Sequence, residues 1–147
     1  MSHINRSALV HYSPAEMYQL VNDVAEYPKF LPWCRSSEVK SESPTEMVAS
    51  VEIAKGVLNK TFTTSNKLRK NVRIDLELVD GPFKKLSGHW QFDALKTANA
   101  CKVNLDLEFE FDSAMMSIAA KPIFTQIANS LVDAFCKRAV DVYGERG

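Results

Sequence analysis

The chain has 147 residues, enough for one domain with a substantial core, because a chain of about 150 residues buries roughly 70% of its unfolded surface. Hydrophobic residues make up 46% and charged residues 24%, which is typical of a globular protein and excludes a disordered one. Lys plus Arg and Asp plus Glu both number 18, so the formal net charge is zero and the basic excess usual in a nucleic-acid-binding protein is missing. The basic residues Lys55, Lys60, Lys67, Arg69, Lys70 and Arg73 are close in sequence and are expected to form a solvated strand face, with a local basic patch as the alternative.

The sequence also lacks targeting and metal-binding signals. The N-terminal Met-Ser-His-Ile-Asn-Arg has no apolar run typical of a signal peptide, and no stretch approaches the roughly 18 apolar residues of a membrane span. Cys34, Cys101 and Cys136 are odd in number and lack CxxC spacing, which favours neither a disulfide framework nor a zinc site. We therefore expect a cytoplasmic protein with reduced thiols and no metal; a location peripheral to the inner membrane is the alternative.

The N-terminal region predicts a strand followed by a helix. Residues 4–12 alternate between two faces, as a strand requires. A helix start follows, because Ser13 is a typical N-cap, Pro14 is tolerated at the first helical position and Glu16 completes a capping box. Apolar residues then recur at helical spacing, at Met17, Leu20, Val21 and Val24.

The segment Tyr27–Cys34 combines two prolines with several large apolar side chains. The prolines prevent a long helix, so the segment is predicted to be a short helix or a rigid loop. Its apolar side chains must reach either the core or a ligand.

Residues 36–112 are predicted to form strands joined by tight turns, because apolar residues recur there with a period of two. Turn-forming residues separate the strands at Ser43–Glu46, Lys55-Gly56, Lys70-Asn71 and Asp80–Pro82. The last strand has the clearest pattern, with Val103, Leu105, Leu107, Phe109 and Phe111 on its inward face. Six or seven antiparallel strands with one apolar face result.

Residues 114–143 change to a helical period and predict a long helix that ends at Gly144. Its length of about 30 residues corresponds to a rod of roughly 45 Å. Pro122 should bend or break this helix near its first third, because proline removes a backbone hydrogen bond. The helix is the one late element able to cover the apolar face of the sheet, so an α+β fold of a single domain over residues 1–147 is expected.

This order of elements is that of the helix-grip, or START-like, fold. Two segments, Tyr27–Cys34 and Asp80–Phe92, resemble two signatures of the coenzyme Q-binding family of the polyketide-cyclase-like superfamily. Further similarity lies in Ala8–Val10, Tyr18–Val24, Lys60–Thr64, Ala134-Phe135 and Arg138-Ala139. Pro122, inside the predicted helix, is a departure from the family pattern.

The resemblance implies a curved antiparallel sheet that wraps around the long helix and a non-enzymatic protein that binds an apolar small molecule between them. That molecule would be ubiquinone or another isoprenoid lipid, in support of respiration, with no required cofactor. The alternative that the resemblance implies is a toxin that binds the large ribosomal subunit, blocks subunit association and so inhibits translation initiation. A cyclase or dehydratase activity is a third alternative. Peripheral membrane contact is compatible with the first function, and DNA is not an expected partner.

The predicted cavity wall consists of residues from the aromatic segment Tyr27–Cys34, the sheet and the long helix. The predicted lining residues are Tyr27, Phe30, Leu31, Trp33, Phe62, Leu76, Trp90, Phe92, Leu107, Phe109, Phe124, Ile127 and Leu131. The alternative is that these side chains simply fill the core, since periodicity cannot reveal empty space. A quinone ring near Trp33 or Trp90 could accept a hydrogen bond from an indole N–H.

Catalytic residues are not predicted. The histidines His3, His11 and His89 are scattered without the spacing of a catalytic triad. The acidic residues Asp106, Glu108 and Glu110 alternate with apolar residues and are expected to face solvent.

The turn at Lys55-Gly56 is predicted to expose Val57 and Leu58 between Lys55 and Lys60. Apolar side chains flanked by lysines suit contact with a membrane surface or with rRNA. An ordinary packed hairpin tip is the alternative.

Overall fold

The computed structural model describes residues 2–97 and 99–146, which form one antiparallel sheet and two α-helices. The elements are β1 (Ser2–Val10), α1 (Pro14–Asn22), a 3-10 helix (Val24–Lys29), β2 (Cys34–Glu42), β3 (Glu46–Lys55), β4 (Leu58–Arg69), β5 (Arg73–Asp80), β6 (Phe83–Ala94), β7 (Cys101–Phe111) and α2 (Lys121–Tyr143). The seven strands lie in the order β1-β7-β6-β5-β4-β3-β2, and every neighbouring pair is antiparallel. The predicted α+β fold is therefore confirmed.

Helix α1 begins with the predicted capping box. The Ser13 hydroxyl accepts a hydrogen bond from the Glu16 backbone N–H at 3.1 Å, and the Glu16 carboxylate accepts one from the Ser13 N–H at 2.9 Å. These two bonds satisfy donors that the first turn of a helix leaves free.

The aromatic segment forms a 3-10 helix followed by a tight turn. The Leu31 N–H donates to the Tyr27 carbonyl at 2.9 Å, and the Cys34 N–H donates to the Leu31 carbonyl at the same distance. The Leu31 side chain is fully buried. The segment thus places its apolar side chains beneath the sheet and then leads directly into β2.

Helix α2 begins at Lys121, so the prediction of a helix from residue 114 was wrong. Residues 112–120 form turns, in which the N–H groups of Met115 and Met116 donate to the Asp112 carbonyl at 3.0 and 2.8 Å. Pro122 lies in the first turn of α2 and does not bend the helix interior, because its missing N–H would be unpaired there in any case. The 23 residues of α2 span roughly 35 Å.

The buried side chains form two clusters on the inner face of the sheet. One cluster lies beneath α1 and includes Met17 and Phe135. The other lies near the start of α2, where the ring centre of Phe83 is 4.8 Å from that of Phe124. Helix α2 contributes to both clusters and therefore covers the inner face along its length.

Two local features change the regular pairing of the sheet, a close approach of two strands at Gly88 and register shifts in β2. Gly88 allows β6 and β7 to approach closely, since a Cβ at this position would lie 2.2 Å from the Asp106 carbonyl oxygen. In β2, an edge strand, the register shifts between Cys34 and Ser36 and again between Val39 and Ser41.

Candidate functional site

A cavity of about 110 Å³ lies between the inner face of the sheet and α2. It is lined by members of both core clusters and by the aromatic segment. Its wall consists of Val24, Tyr27, Trp33, Ala49, Val51, Ile53, Phe62, Thr64, Asn66, Leu76, Leu86, Trp90, Leu105, Leu107, Phe124, Ile127, Ala128, Leu131 and Phe135. The side chains around the cavity are almost all apolar, as is typical of small-molecule sites.

The structure places most of the predicted wall residues around this cavity. They are Tyr27, Trp33, Phe62, Leu76, Trp90, Leu107, Phe124, Ile127 and Leu131. Their position follows from the inward alternation of the strands and the apolar stripe of α2. That they contact a ligand stays a prediction.

Two of the predicted sheet residues lie beyond the ends of the cavity. The ring of Phe92 packs 5.9 Å from that of Tyr18, beneath α1. The ring of Phe109 packs 5.1 Å from that of Phe124, near the start of α2. Both residues face inward as predicted, but the period of a strand does not reveal where along the strand a cavity lies.

Two predicted residues of the aromatic segment also do not line the cavity. Leu31 is fully buried within the cluster near the start of α2. Phe30 is half-buried, with its ring 5.5 Å from that of Phe135 on one side and 4.8 Å from the Arg138 guanidinium carbon on another. Tyr27, within the 3-10 helix, and Trp33, in the turn that follows it, line the cavity in their place.

The sequence interpretation missed several wall residues. They are Val24, Ala49, Val51, Ile53, Thr64, Asn66, Leu86, Leu105, Ala128 and Phe135. For the apolar members the signal was present, since they belong to the same inward alternation or helical stripe. Thr64 and Asn66 could have been identified from their position on the inward face of β4. They were missed because the sequence interpretation selected apolar residues only.

The polar groups of the wall are few. The Thr64 hydroxyl donates to the Asn66 side-chain oxygen Oδ1 at 2.8 Å. The Tyr27 hydroxyl donates to the Val21 carbonyl, and burial raises the pKa of this phenol well above its ordinary value, so Tyr27 stays neutral. The polar part of the wall therefore carries no charge at neutral pH.

The two tryptophans lie in the wall as the quinone hypothesis requires. Trp90 packs edge-on against Phe135 with ring centres 5.3 Å apart, and Trp33 is nine-tenths buried. These indole rings supply flat apolar surface, and their N–H groups are available donors within the wall.

The hairpin tip between β3 and β4 differs from the prediction at one residue. Val57 is 66% exposed, but Leu58 is 1% exposed and belongs to the core. Leu58 pairs with Lys55 across a two-residue turn, and the side chain at this first position of β4 points inward. The turn lies against the first turn of α2, because a Cβ at Gly56 would be 3.4 Å from Ile123 Cδ1. Lys55 and Lys60 are exposed.

The predicted outward acids lie on the face of the sheet opposite the cavity. There His3 Nε2 is 3.0 Å from Asp106 Oδ1, and the Asn5 amide donates to Asp106 Oδ2 at 2.8 Å. Hydrogen bonds from Asn5 and His3 hold the pKa of Asp106 below its ordinary value. These groups do not reach the cavity.

The thiols of Cys34 and Cys101 are not ionised to reactive thiolates at neutral pH. Burial raises the pKa of the Cys34 thiol to about 11 and that of Cys101 to about 11, so both stay protonated at neutral pH. Within residues 2–97 and 99–146, no group of three or more His, Cys, Asp or Glu side chains could hold a metal ion. In the same described ranges, no helix combines the length and apolarity needed to cross a membrane.

Comparison with known proteins relates this architecture to one family. The sequence profile of the family described as "Polyketide cyclase / dehydrase and lipid transport" matches residues 10–136. The ribosome association toxin RatA of Vibrio cholerae is 52% identical over 145 residues, which cover 99% of this chain and 100% of that protein. The mitochondrial coenzyme Q-binding protein COQ10 of Drosophila melanogaster is 32% identical over 133 residues, which cover 88% of this chain and 55% of that protein.

A solved structure of a START superfamily protein from Mycobacterium smegmatis matches with a TM-score of 0.78 at 16% identity, over 95% of this chain and 98% of that one. At this identity the match shows the fold alone. Because the family profile and the RatA similarity both extend over nearly the whole chain, this protein belongs to the polyketide cyclase/dehydrase and lipid transport family, with a START-like fold, and within it to the family of the ribosome association toxin RatA.

Proposed function

We propose that this protein is a non-enzymatic binding protein that takes an apolar small molecule, a quinone or another isoprenoid lipid, into the cavity beneath α2. The observation that carries the proposal is the cavity itself, which lies between the sheet and α2 and has a nearly apolar wall. The name of the Drosophila relative, a coenzyme Q-binding protein, supports a quinone as the ligand.

The volume of the cavity limits what it can hold. An engineered cavity of about 150 Å³ accommodates benzene, so a cavity of about 110 Å³ admits a substituted ring only when the side chains of its wall move apart. We expect the ring of the ligand to occupy the cavity. A long isoprenoid tail requires α2 to move away from the sheet or the tail to leave toward solvent.

The chemistry of the wall favours binding over catalysis. General acid–base catalysis is most efficient with a group whose pKa lies near the operating pH. The polar side chains of the wall are Thr64, Asn66 and Tyr27 together with the two indoles, and burial holds the Tyr27 phenol in its neutral form. These groups can position a ligand by hydrogen bonding, and none of them is an acid or base that titrates near neutral pH.

A titration tests the first proposal. A short-chain ubiquinone is titrated into the purified protein by calorimetry, and an organic extract of the protein is analysed for quinones and lipids. We expect binding of one molecule per chain. An Ala128→Phe variant, which fills the cavity from α2, should abolish binding, whereas Ala15→Phe on an exposed position of α1 should not. A folded protein that neither yields a lipid nor binds the quinone would contradict the proposal.

A second candidate function is supported by the relative with the highest identity quoted above. The Vibrio cholerae protein, 52% identical over essentially the whole chain, is named a ribosome association toxin. We propose that this chain binds the large ribosomal subunit, blocks its association with the small subunit and thereby inhibits translation initiation. The exposed Lys55, Val57 and Lys60 at the hairpin tip offer a cationic surface for rRNA phosphates.

Sucrose-gradient profiles test this second function. Wild-type protein at modest excess over ribosomes should move the profile toward free subunits. A Lys55→Glu, Lys60→Glu double variant should lose the effect, whereas Lys96→Glu, in the turn between β6 and β7 at the opposite end of the sheet, should retain it. An unchanged profile with wild-type protein would reject ribosome association. Sedimentation of the same variants with anionic liposomes tests membrane contact at this tip separately.

A further inference from the structure

We propose that the side-chain amide of Asn66 is the polar anchor of the cavity, and that the ligand is therefore an apolar molecule that presents a carbonyl oxygen to Asn66 Nδ2. This inference rests on the proposed small-molecule function and specifies the chemical class of the ligand. It identifies a specific hydrogen-bond donor in a nearly apolar wall whose other donors are the indole N–H groups of Trp33 and Trp90.

Asn66 lies on the inner face of β4 in an apolar setting. Its side chain alternates with Phe62 and Leu68 on the same face, and its partners on the neighbouring strands are Met47 and Leu76. The residue is 5% exposed and belongs to the cavity wall. An amide in such surroundings must find hydrogen-bond partners within the protein or in the cavity.

Thr64 occupies the oxygen end of the Asn66 amide. The Thr64 hydroxyl donates to Asn66 Oδ1 at 2.8 Å, which leaves the nitrogen as the other end of the amide. Within residues 2–97 and 99–146, Asn66 Nδ2 donates to no protein acceptor. Among the described residues, Asn22 Oδ1 is the side-chain atom that is fully enclosed and has no hydrogen-bond partner. Asn66 Nδ2 also has no partner but is not fully enclosed, so it must border open space. Because Asn66 is almost wholly buried in the wall, that space is the cavity.

The two hydroxyls in the wall do not compete for this role. The Tyr27 O–H already donates to the Val21 carbonyl, and the Thr64 O–H is used by Asn66. A ligand oxygen at Nδ2 would complete the hydrogen bonds of the amide without displacing a protein contact. A hydrocarbon of the same shape would leave the amide unpaired.

A pair of matched probes tests the inference. Tetramethyl-1,4-benzoquinone and tetramethylbenzene have the same ring and methyl groups and differ in the two carbonyl oxygens. The full methyl substitution of the quinone prevents addition by thiols. With the protein as titrant, calorimetry on wild type should show about tenfold tighter binding of the quinone. Asn66→Leu, which keeps an apolar side chain of similar size, should bind both probes equally, and Asn59→Leu, an exposed position of the same strand, should keep the wild-type preference.

A second measurement on wild-type protein needs no variant. In a ¹H–¹⁵N spectrum, the side-chain NH₂ signals of Asn66 should shift on addition of the quinone and shift much less with the hydrocarbon. Equal affinity of wild type for the two probes, or an unshifted Asn66 amide with bound quinone, overturns the anchor while leaving the cavity function intact. Absence of binding by both probes overturns the cavity function and the anchor together.

Discussion

Arg146 forms a two-point ion pair with Glu16, with Nη1–Oε1 and Nη2–Oε2 distances of 2.8 and 2.9 Å. The contact joins the C-terminal region to the first turn of α1, where Glu16 also completes the capping box with Ser13. The Arg146 guanidinium lies 5.0 Å from the centre of the Tyr12 ring, and the Tyr12 hydroxyl donates to the Gly144 carbonyl at 2.6 Å. The residues that follow α2 are thus bound to the start of α1.

This pair predicts a specific dependence of stability on pH. The hydrogen bonds from Arg146, with those from Ser13, lower the pKa of Glu16 from 4.5 to about 2, although burial acts in the opposite direction. A carboxyl whose pKa is lower in the folded state contributes stability above its unfolded pKa and loses it as the pH falls through the folded pKa. The contribution is therefore complete above pH 4.5 and disappears toward pH 2.

The measurement is thermal unfolding of wild type and Arg146→Met across this pH range. We expect a clear difference in Tm at neutral pH that shrinks below pH 4.5, because protonated Glu16 no longer distinguishes the two proteins. A Tm difference that is the same at neutral pH and at pH 2.5 would contradict the assignment of the lowered Glu16 pKa to the contact with Arg146.

The hairpin tip predicts unequal effects of two neighbouring substitutions. Leu58→Ala should lower the free energy of unfolding by about 3 kcal/mol, because it removes a fully buried side chain from the core. Val57→Ala should change it by less than about 0.5 kcal/mol, because Val57 is exposed. Urea unfolding of both variants checks the difference, and similar losses would mean that the tip packs differently.

Gly88 predicts a steric effect within the sheet. In Gly88→Ala the new methyl group would lie 2.2 Å from the Asp106 carbonyl oxygen, so β6 and β7 would have to separate. We expect a loss of about 3 kcal/mol in the free energy of unfolding. Ser87→Ala, the preceding residue, is the control and should be nearly neutral. A stable Gly88→Ala variant with an unchanged fold would show that the strands can move apart easily.

Replacing Pro122 is predicted to change the free energy of unfolding only slightly, unlike replacing a proline in a helix interior. Replacing an interior proline by alanine would stabilise a helix by about 3 kcal/mol. In the first turn of α2, Pro122 breaks no hydrogen bond, and Pro122→Ala should instead destabilise by less than about 1 kcal/mol, because the unfolded chain gains freedom. Calorimetric unfolding measures the sign, and marked stabilisation would contradict the position of the helix start.

The sheet and the start of α1 were predictable because their signals are local. Inward alternation in β7 and the Ser13–Glu16 capping box depend on neighbouring residues alone. The start of α2 was not predicted, because Met116 is buried within a turn and therefore imitates a helical core position. The position of Pro122 would have indicated the correct start, since proline is common in the first turn of helices.

The cavity was predictable in part. Alternation reveals the face to which a side chain points but not its distance from a void, so Phe92 and Phe109 were assigned to the wall although they fill the core beyond it. Asn66 was missed for the opposite reason. A polar residue at an inward position points to a functional role, because burying a polar group costs free energy and an apolar residue at the same position would avoid that cost.

The two register shifts in the edge strand β2 have a consequence for how the protein meets other proteins. Irregular pairing twists an edge strand, and charged side chains such as Arg35, Glu38 and Lys40 along β2 oppose the approach of a further strand. The edge is therefore a poor template for strand addition and for aggregation through stacked sheets. We therefore do not expect another protein to add a strand at β2.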